Sequence, residues 1–422
     1  MTDTVVWDWE TREKRIPVGD WNSRFEWVEE PYASPDGERV AAIINSAEGA
    51  NHINGNVCVN GETWENPFEK IWHLRFTTDG RLTALISEMG EWTVAVDGVP
   101  WENRFAYVWN PLFSKDGNSI AASFQQDSRY GMVLNDVPWE KTYANLTDPA
   151  LSPDGNHTAA SVQVISSGEV EIHKFQEGTI SAAMDGVVWE RPFVNVWNKA
   201  ISLNGDLAAE VRLTLYDYTI AVNGVPWAKT FGGVWEPIFS PISGKVIAPV
   251  RVKGKWHLAE DGQLMWTTPF DQLWHTLFSP DGKRLAAIVS TGFGKWTVAV
   301  DGKAWNLLFS DFVTELTFSP DSQKIAAVVK DNERWGMAVQ GSAWKNTFDM
   351  VWKPVFSPDG AHVAAKVERG GKYTIALNDR LWPHDCDAAW DPAFSSDGTR
   401  LLFRTIEDGV YCRRVIPVSE FG

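Results

Sequence analysis

A unit of about 38 to 40 residues recurs along this chain, and a period of that size restricts the fold to a propeller, a solenoid or an array of stacked units. Residues 96–133, VDGVPWENRFAYVWNPLFSKDGNSIAASFQQDSRYGMV, return with small changes at residues 300–339 as VDGKAWNLLFSDFVTELTFSPDSQKIAAVVKDNERWGMAV. Aligned on a Ser-Pro-Asp-Gly turn, the copies start at Ser34, Thr77, Ser114, Ser152, Ser202, Ser240, Ser279, Ser319, Ser357 and Ser395. The copy at Ser240 carries one extra residue, Ile242.

The residues in each column predict the local structure. Ser-Pro-Asp-Gly suits a type I turn, because proline presets φ at the second position and glycine accepts the conformation needed at the fourth. RLAAIVS at residues 284–290 and KWTVAVDG at residues 295–302 then read as strands. Asp-Gly or Asn-Gly after alternating apolar residues marks a tight hairpin, which needs positive φ. W-x3-F leads on to the next V-W-x-P-x-F-S. Each unit holds about four short strands and no helical periodicity, the size of one propeller blade.

The aromatic columns supply the expected glue. Of the 24 tryptophans, one set follows the hairpin: Trp21, Trp64, Trp101, Trp139, Trp189, Trp227, Trp266, Trp305, Trp344 and Trp382. A second set precedes the turn serine by five residues: Trp72, Trp109, Trp197, Trp235, Trp274, Trp352 and Trp390. A third column holds Trp92, Tyr130, Tyr218, Trp256, Trp296, Trp335 and Tyr373. Strict register with turn residues is what packing between blades demands, and it favours structural inter-blade aromatics over an electron-hopping chain. Glu29, Thr147 and Thr314 replace the second-column tryptophan in three units. Such departures from a repeat rule are where function can reside.

The two ends of the chain choose between architectures. The last copy has strands expected at residues 401–406 and 410–415 and stops one strand short, while DWNSRF at residues 20–25 matches the segment beginning PWENRF at Pro100. A last blade that borrows its fourth strand from the N-terminus leaves no open edge. The expectation is therefore an all-β, single-domain propeller of about ten four-stranded blades over residues 1–422, closed by the N-terminal strand. Two five-bladed propellers are the alternative. The largest interruption is SSGEVEIHKFQEGTI, residues 166–180, a surface insertion between the fourth and fifth copies. Its Glu169, Glu171, His173, Lys174 and Phe175 form a candidate partner-contact loop.

A formal net charge of -17 argues against nucleic acid or an anionic lipid surface as partner and suits a basic protein. The N-terminal MTDTVVWDWETREKR has no basic region followed by an apolar core, and no stretch approaches 18 apolar residues, so the expected location is cytoplasmic. Cys58, Cys386 and Cys412 are too few and too dispersed for a disulfide framework. C-x-x-C, C-x-x-C-H, H-E-x-x-H, P-loop, G-x-G-x-x-G and G-x-S-x-G motifs do not occur. The densest polar cluster is His384, Asp385, Cys386 and Asp387, with Asp391 after it. Neighbours in a strand point to opposite faces, which favours a solvated loop there over a metal site. No catalytic, cofactor-binding or metal residues are assigned.

The F-S-P-D-G turns and following A-A strands resemble the WD40-like propeller repeats of the TolB family. The tandem V-D-G-x-x-W and V-W-x-P-x-F-S-P-D-G units, at residues 222–227 (with Asn223 for the aspartate) with 234–240 and at residues 351–360, resemble the tryptophan-rich subunit of the Tmc transmembrane redox complex of sulfate-reducing bacteria. That resemblance implies a non-catalytic accessory subunit without its own cofactor. It implies docking on the cytoplasmic side of an electron-transfer complex, peripheral to the inner membrane, through iron-sulfur and cytochrome b subunits. AVDGKAW at residues 299–305 resembles a shortened tryptophan-docking motif of quinoprotein dehydrogenases, which makes a propeller oxidoreductase one alternative. A free-standing cytoplasmic interaction module is the other. If the columns pack as expected, Trp227→Ala costs about 3 to 5 kcal/mol. A thermal-melt shift of a degree or less would count against that packing.

Overall fold

A computed structural model describes residues 7–45, 55–165, 176 and 178–421. Within them the chain forms ten antiparallel sheets, one per turn motif, in an all-β propeller fold of four-stranded blades. The second sheet shows the plan: Lys70–Phe76, Leu82–Glu88, Glu91–Val96 and Val99–Pro100 pair in sequence order. The second strand of a sheet is rich in small and branched apolar residues because both of its faces are covered; Val40–Asn45 is buried along its length. The fourth strand is two residues long in most sheets, and W-x3-F is a turn that ends in a single bridge such as Trp92 to Phe105.

Each turn motif is held by a small hydrogen-bond circuit that accounts for its residue types. In the third turn the Ser114 hydroxyl donates to the Asp116 carboxylate at 2.6 Å and accepts from the Ser119 backbone N–H at 2.9 Å. Gly117 N–H closes the turn onto Ser114 O at 2.9 Å. Serine thus uses its hydroxyl as both donor and acceptor, and aspartate supplies the anion that terminates the circuit. The same Ser–Asp bond recurs at 2.6 Å in the turns of Ser279, Ser357 and Ser395.

Packing divides the chain into two compact units, Ala42–Cys58 with Thr63–Pro269, and Met1–Ala41 with Val59–Glu62 and Phe270–Gly422. In the first of these, every neighbouring pair from the second sheet to the sixth shares an apolar cluster. The fifth and sixth sheets join through Ala208 and Ile220 against Phe231, Val246, Ala248 and Val250. Two five-bladed rings divided between the fifth and sixth sheets would need that pair of faces to part, and the shared cluster keeps them together. In the other unit the seventh to tenth sheets are joined in the same way.

The last sheet is completed by the N-terminus, as the sequence suggests, but not by the segment the sequence match picks out. Glu13–Ile16 pairs antiparallel with Val410–Pro417, Glu13 opposite Arg414 and Ile16 opposite Tyr411. DWNSRF instead turns helically at Trp21–Arg24, although Trp21 still occupies the column position, 2% exposed. The tenth sheet then grips the first turn. Arg413, its side chain fully buried, donates from Nε to Asp36 O at 2.8 Å and lies 3.1 Å from the Glu38 carboxylate. Tyr411 donates to Gly37 O at 2.9 Å, and Arg404 to Ser34 O at 2.6 Å. Removing one partner of such a buried network strands the others. Arg413→Ala is expected to cost about 3 to 5 kcal/mol in urea unfolding, with faster amide exchange across Glu13–Ile16. A loss below about 1 kcal/mol would remove this closure from the account.

Candidate functional site

The first aromatic column lies between sheets. Five of these indoles, Trp64, Trp139, Trp189, Trp227 and Trp305, sit beneath the hairpin glycine of the following sheet; after Trp101 and Trp344 that hairpin carries Asp136 and Asp379 instead. A Cβ built on Gly98 would meet Trp64 at 3.0 Å, on Gly186 Trp139 at 3.3 Å, on Gly224 Trp189 at 3.2 Å and on Gly341 Trp305 at 3.3 Å. These glycines also have positive φ, +82° at Gly98, so both the turn and the neighbour exclude a side chain. Trp101, Trp227, Trp344 and Trp382 pack on the apolar clusters that join adjacent sheets.

The second column behaves differently. Its rings lie mainly against an aromatic of their own sheet: Trp72 on Trp92 with centroids 4.6 Å apart, Trp109 on Tyr130 at 6.0 Å, Trp197 on Tyr218 at 6.5 Å, Trp235 on Trp256 at 5.5 Å, Trp274 on Trp296 at 4.7 Å and Trp352 on Tyr373 at 5.7 Å. Trp390 meets Tyr411 at 5.8 Å. Trp72 and Trp235 keep 44% and 40% of their surface exposed. The contact loop of Glu169, Glu171, His173, Lys174 and Phe175 lies outside the described residues. At the His384 cluster, His384, Asp385 and Asp387 are exposed, whereas Cys386 is buried against Glu407 and its thiol is pushed up to about 12 by that burial. Among the described residues no group of three or more His, Cys, Asp and Glu is arranged to hold a metal ion.

One departure from the second column opens a polar site that sequence reasoning missed. Beside Thr147, where a tryptophan is absent, the Lys199 ammonium of the next sheet enters with its side chain fully buried, donating to Asp148 Oδ2 at 2.6 Å and Ser161 Oγ at 2.7 Å. Lys199 stands where Pro111, Pro149, Pro237, Pro354 and Pro392 stand in other units, and this was its only sequence signal. A bulge at Asn198 re-aims the strand, and Asn198 Nδ2 donates to Glu210 at 2.8 Å. Desolvation lowers the Lys199 pKa against the pull of Asp148. Burial raises the Glu210 carboxyl to about 7, opposed by Asn198 and reinforced by the charges of Glu236 and Asp148.

The turn face carries a second departure. The fifth and sixth turns, Ser202-Leu203-Asn204-Gly205 and Ser240-Pro241-Ile242-Ser243-Gly244, lack the aspartate that the other eight possess. Their serines still accept backbone N–H bonds, from Asp206 at 3.0 Å and from Ser243 at 3.2 Å, but bind no carboxylate in the turn. Between them lies a cavity of about 610 Å³ lined by Pro153, Ile201, Leu203, Phe239, Pro241 and Ile242. Leu203 and Ile242 project at its mouth, 71% and 66% exposed.

No family model matches this chain, and no curated protein matches it. Solved structures similar to it include a eukaryotic initiation factor at 12% identity and TM-score 0.47, covering 82% of this chain and 92% of that one. The Dos1 propeller is similar at 10% identity and TM-score 0.34, over 92% of each chain. A TolB protein from Agrobacterium tumefaciens is similar at 16% identity and TM-score 0.27, over 44% of this chain and 74% of that one.

Glu210 gives this site a pH signature. Its folded pKa lies above the ordinary 4.5, so between that value and about 7 the folded chain holds a proton that the unfolded chain has released. Stability contributed by the neutral acid is present at low pH and falls as pH rises through that window. Glu210→Gln is expected to flatten this slope and to stabilise the protein above pH 7 by up to the order of 3 kcal/mol. Parallel stability–pH curves for the two proteins would refute the assignment.

Proposed function

We propose that this chain is a non-catalytic scaffold, a propeller that holds protein partners through its faces. The observation that carries the reading is the pair of adjacent turns that exchange their carboxylates for exposed Leu203 and Ile242 over an apolar cavity. These two side chains leave most of their surface unburied within the chain, and a contiguous apolar patch in a polar surround marks a protein-binding site. In the other eight turns serine, or Thr77 in the second, and aspartate are consumed in holding the turn, a structural use of polar groups rather than a chemical one.

The tandem V-D-G-x-x-W and V-W-x-P-x-F-S-P-D-G units support a more specific form of this reading. The chain is an accessory subunit of a membrane-bound electron-transfer complex, docked on its cytoplasmic side with iron-sulfur and cytochrome b subunits as partners. Attachment is peripheral and runs through those subunits; among the described residues no helix is long and apolar enough to cross a membrane. The test is affinity capture of the tagged full-length chain from detergent-solubilised membranes, read by mass spectrometry and haem absorbance. Co-recovery of cytochrome b and iron-sulfur subunits is expected. Their absence would end the redox-complex assignment and leave the scaffold and its fold standing.

A further inference from the structure

We propose that the cavity between the fifth and sixth turns seats an apolar side chain of a partner protein, presented on a segment whose flanking residues are basic. This rests on the scaffold reading and adds the docking site and the chemistry of its occupant. The apolar part follows from the lining: Ile201, Leu203, Phe239 and Ile242 with Pro153 and Pro241 leave a volume of about 610 Å³, in the range that accepts a bulky side chain or a drug-sized group. Leu203 takes the position that proline holds in six of the other turns, and Ile242 is an added residue, so neither is required for turn formation. Both face outward, and burying them against a partner is where their apolar surface yields free energy.

The basic flanks follow from the rim. Asp154 lies next to Pro153 on one side and accepts from the Ser152 hydroxyl and Asn156, neutral donors that leave its charge uncancelled. The Ser152 bond also holds it below the usual carboxylate range. Asp206 lies just past the fifth turn and accepts from Asn223 Nδ2 at 2.8 Å, again a neutral donor. On the far side Lys245 is engaged by Glu260 at 3.0 Å, which cancels the cation nearest the sixth turn. Asp154 and Asp206 thus stand one residue beyond cavity-lining Pro153 and two beyond Asn204, with no ion pair to either among the described residues, on a chain whose formal net charge is -17. An acidic segment would be repelled there, and a lysine or arginine beside the apolar anchor would be drawn in.

The experiment uses the full-length chain and two synthetic peptides of equal length, one with Leu-Phe flanked by lysines and the other with Leu-Phe flanked by glutamates, measured by fluorescence anisotropy. The lysine-flanked peptide is expected to bind at least roughly tenfold more tightly, and to weaken as salt screens the rim carboxylates. Leu203→Asp and Ile242→Asp are each expected to cut that binding roughly tenfold or more while the thermal melt stays in place. Three results would overturn the proposal: no binding of either peptide, equal binding of both, or binding that survives both substitutions. Self-association of the chain that Leu203→Asp abolishes would also overturn it, because the occupant would then be a second copy. Membrane capture that persists in Leu203→Asp rejects this patch alone, whereas peptide binding without membrane capture rejects the redox complex alone.

Discussion

The contact on which the rest depends is an indole ring lodged beneath the hairpin glycine of the next sheet. At Gly98, Gly186, Gly224 and Gly341 the ring stands where any Cβ would press on it, and the backbone there has the left-handed φ that glycine adopts without strain. Two requirements, one of the turn and one of the neighbour, therefore meet on one residue. Where sheets within a compact unit are locked in this way, stability is a sum of nearest-neighbour terms, and those repeats keep tryptophan and glycine together. This is why the period is so plain in the sequence.

Much of the fold is legible for that reason. Strands, turns and the first column follow from turn chemistry and alternation, both local. The N-terminal strand is not, because Glu13–Ile16 is a short edge strand in which exposed and half-buried residues alternate, and it carries no column residue. The repeat signature falls instead on Trp21, whose side chain keeps the column position while its backbone turns helically. Similarity of side-chain position located the tryptophan and misplaced the strand. The alignment also treated the two tryptophan columns alike. Their ring partners separate them, since Trp72 and Trp235 stack on Trp92 and Trp256 of their own sheets and stay partly open.

The candidate sites were legible in proportion to how local they are. The extra Ile242 can be seen in the alignment, but its meaning needs Leu203 across the cavity, thirty-nine positions earlier. Lys199 and Asp148 are 51 positions apart and meet because adjacent sheets face one another and Thr147 leaves room. Glu210, a carboxyl in the middle of the strand Leu207–Arg212 with apolar residues on either side, is the one member that strand patterning alone marks as out of place.

The most direct test of the inter-sheet wedge is a double-mutant cycle on Trp139 and Gly186. Gly186→Ala carries a backbone penalty at its positive φ in any background, and the cycle cancels that term, leaving the contact itself. The wedge predicts that Gly186→Ala is less damaging when Trp139 is already alanine, with a coupling of about 1 kcal/mol or more. Strict additivity of the two substitutions would contradict it.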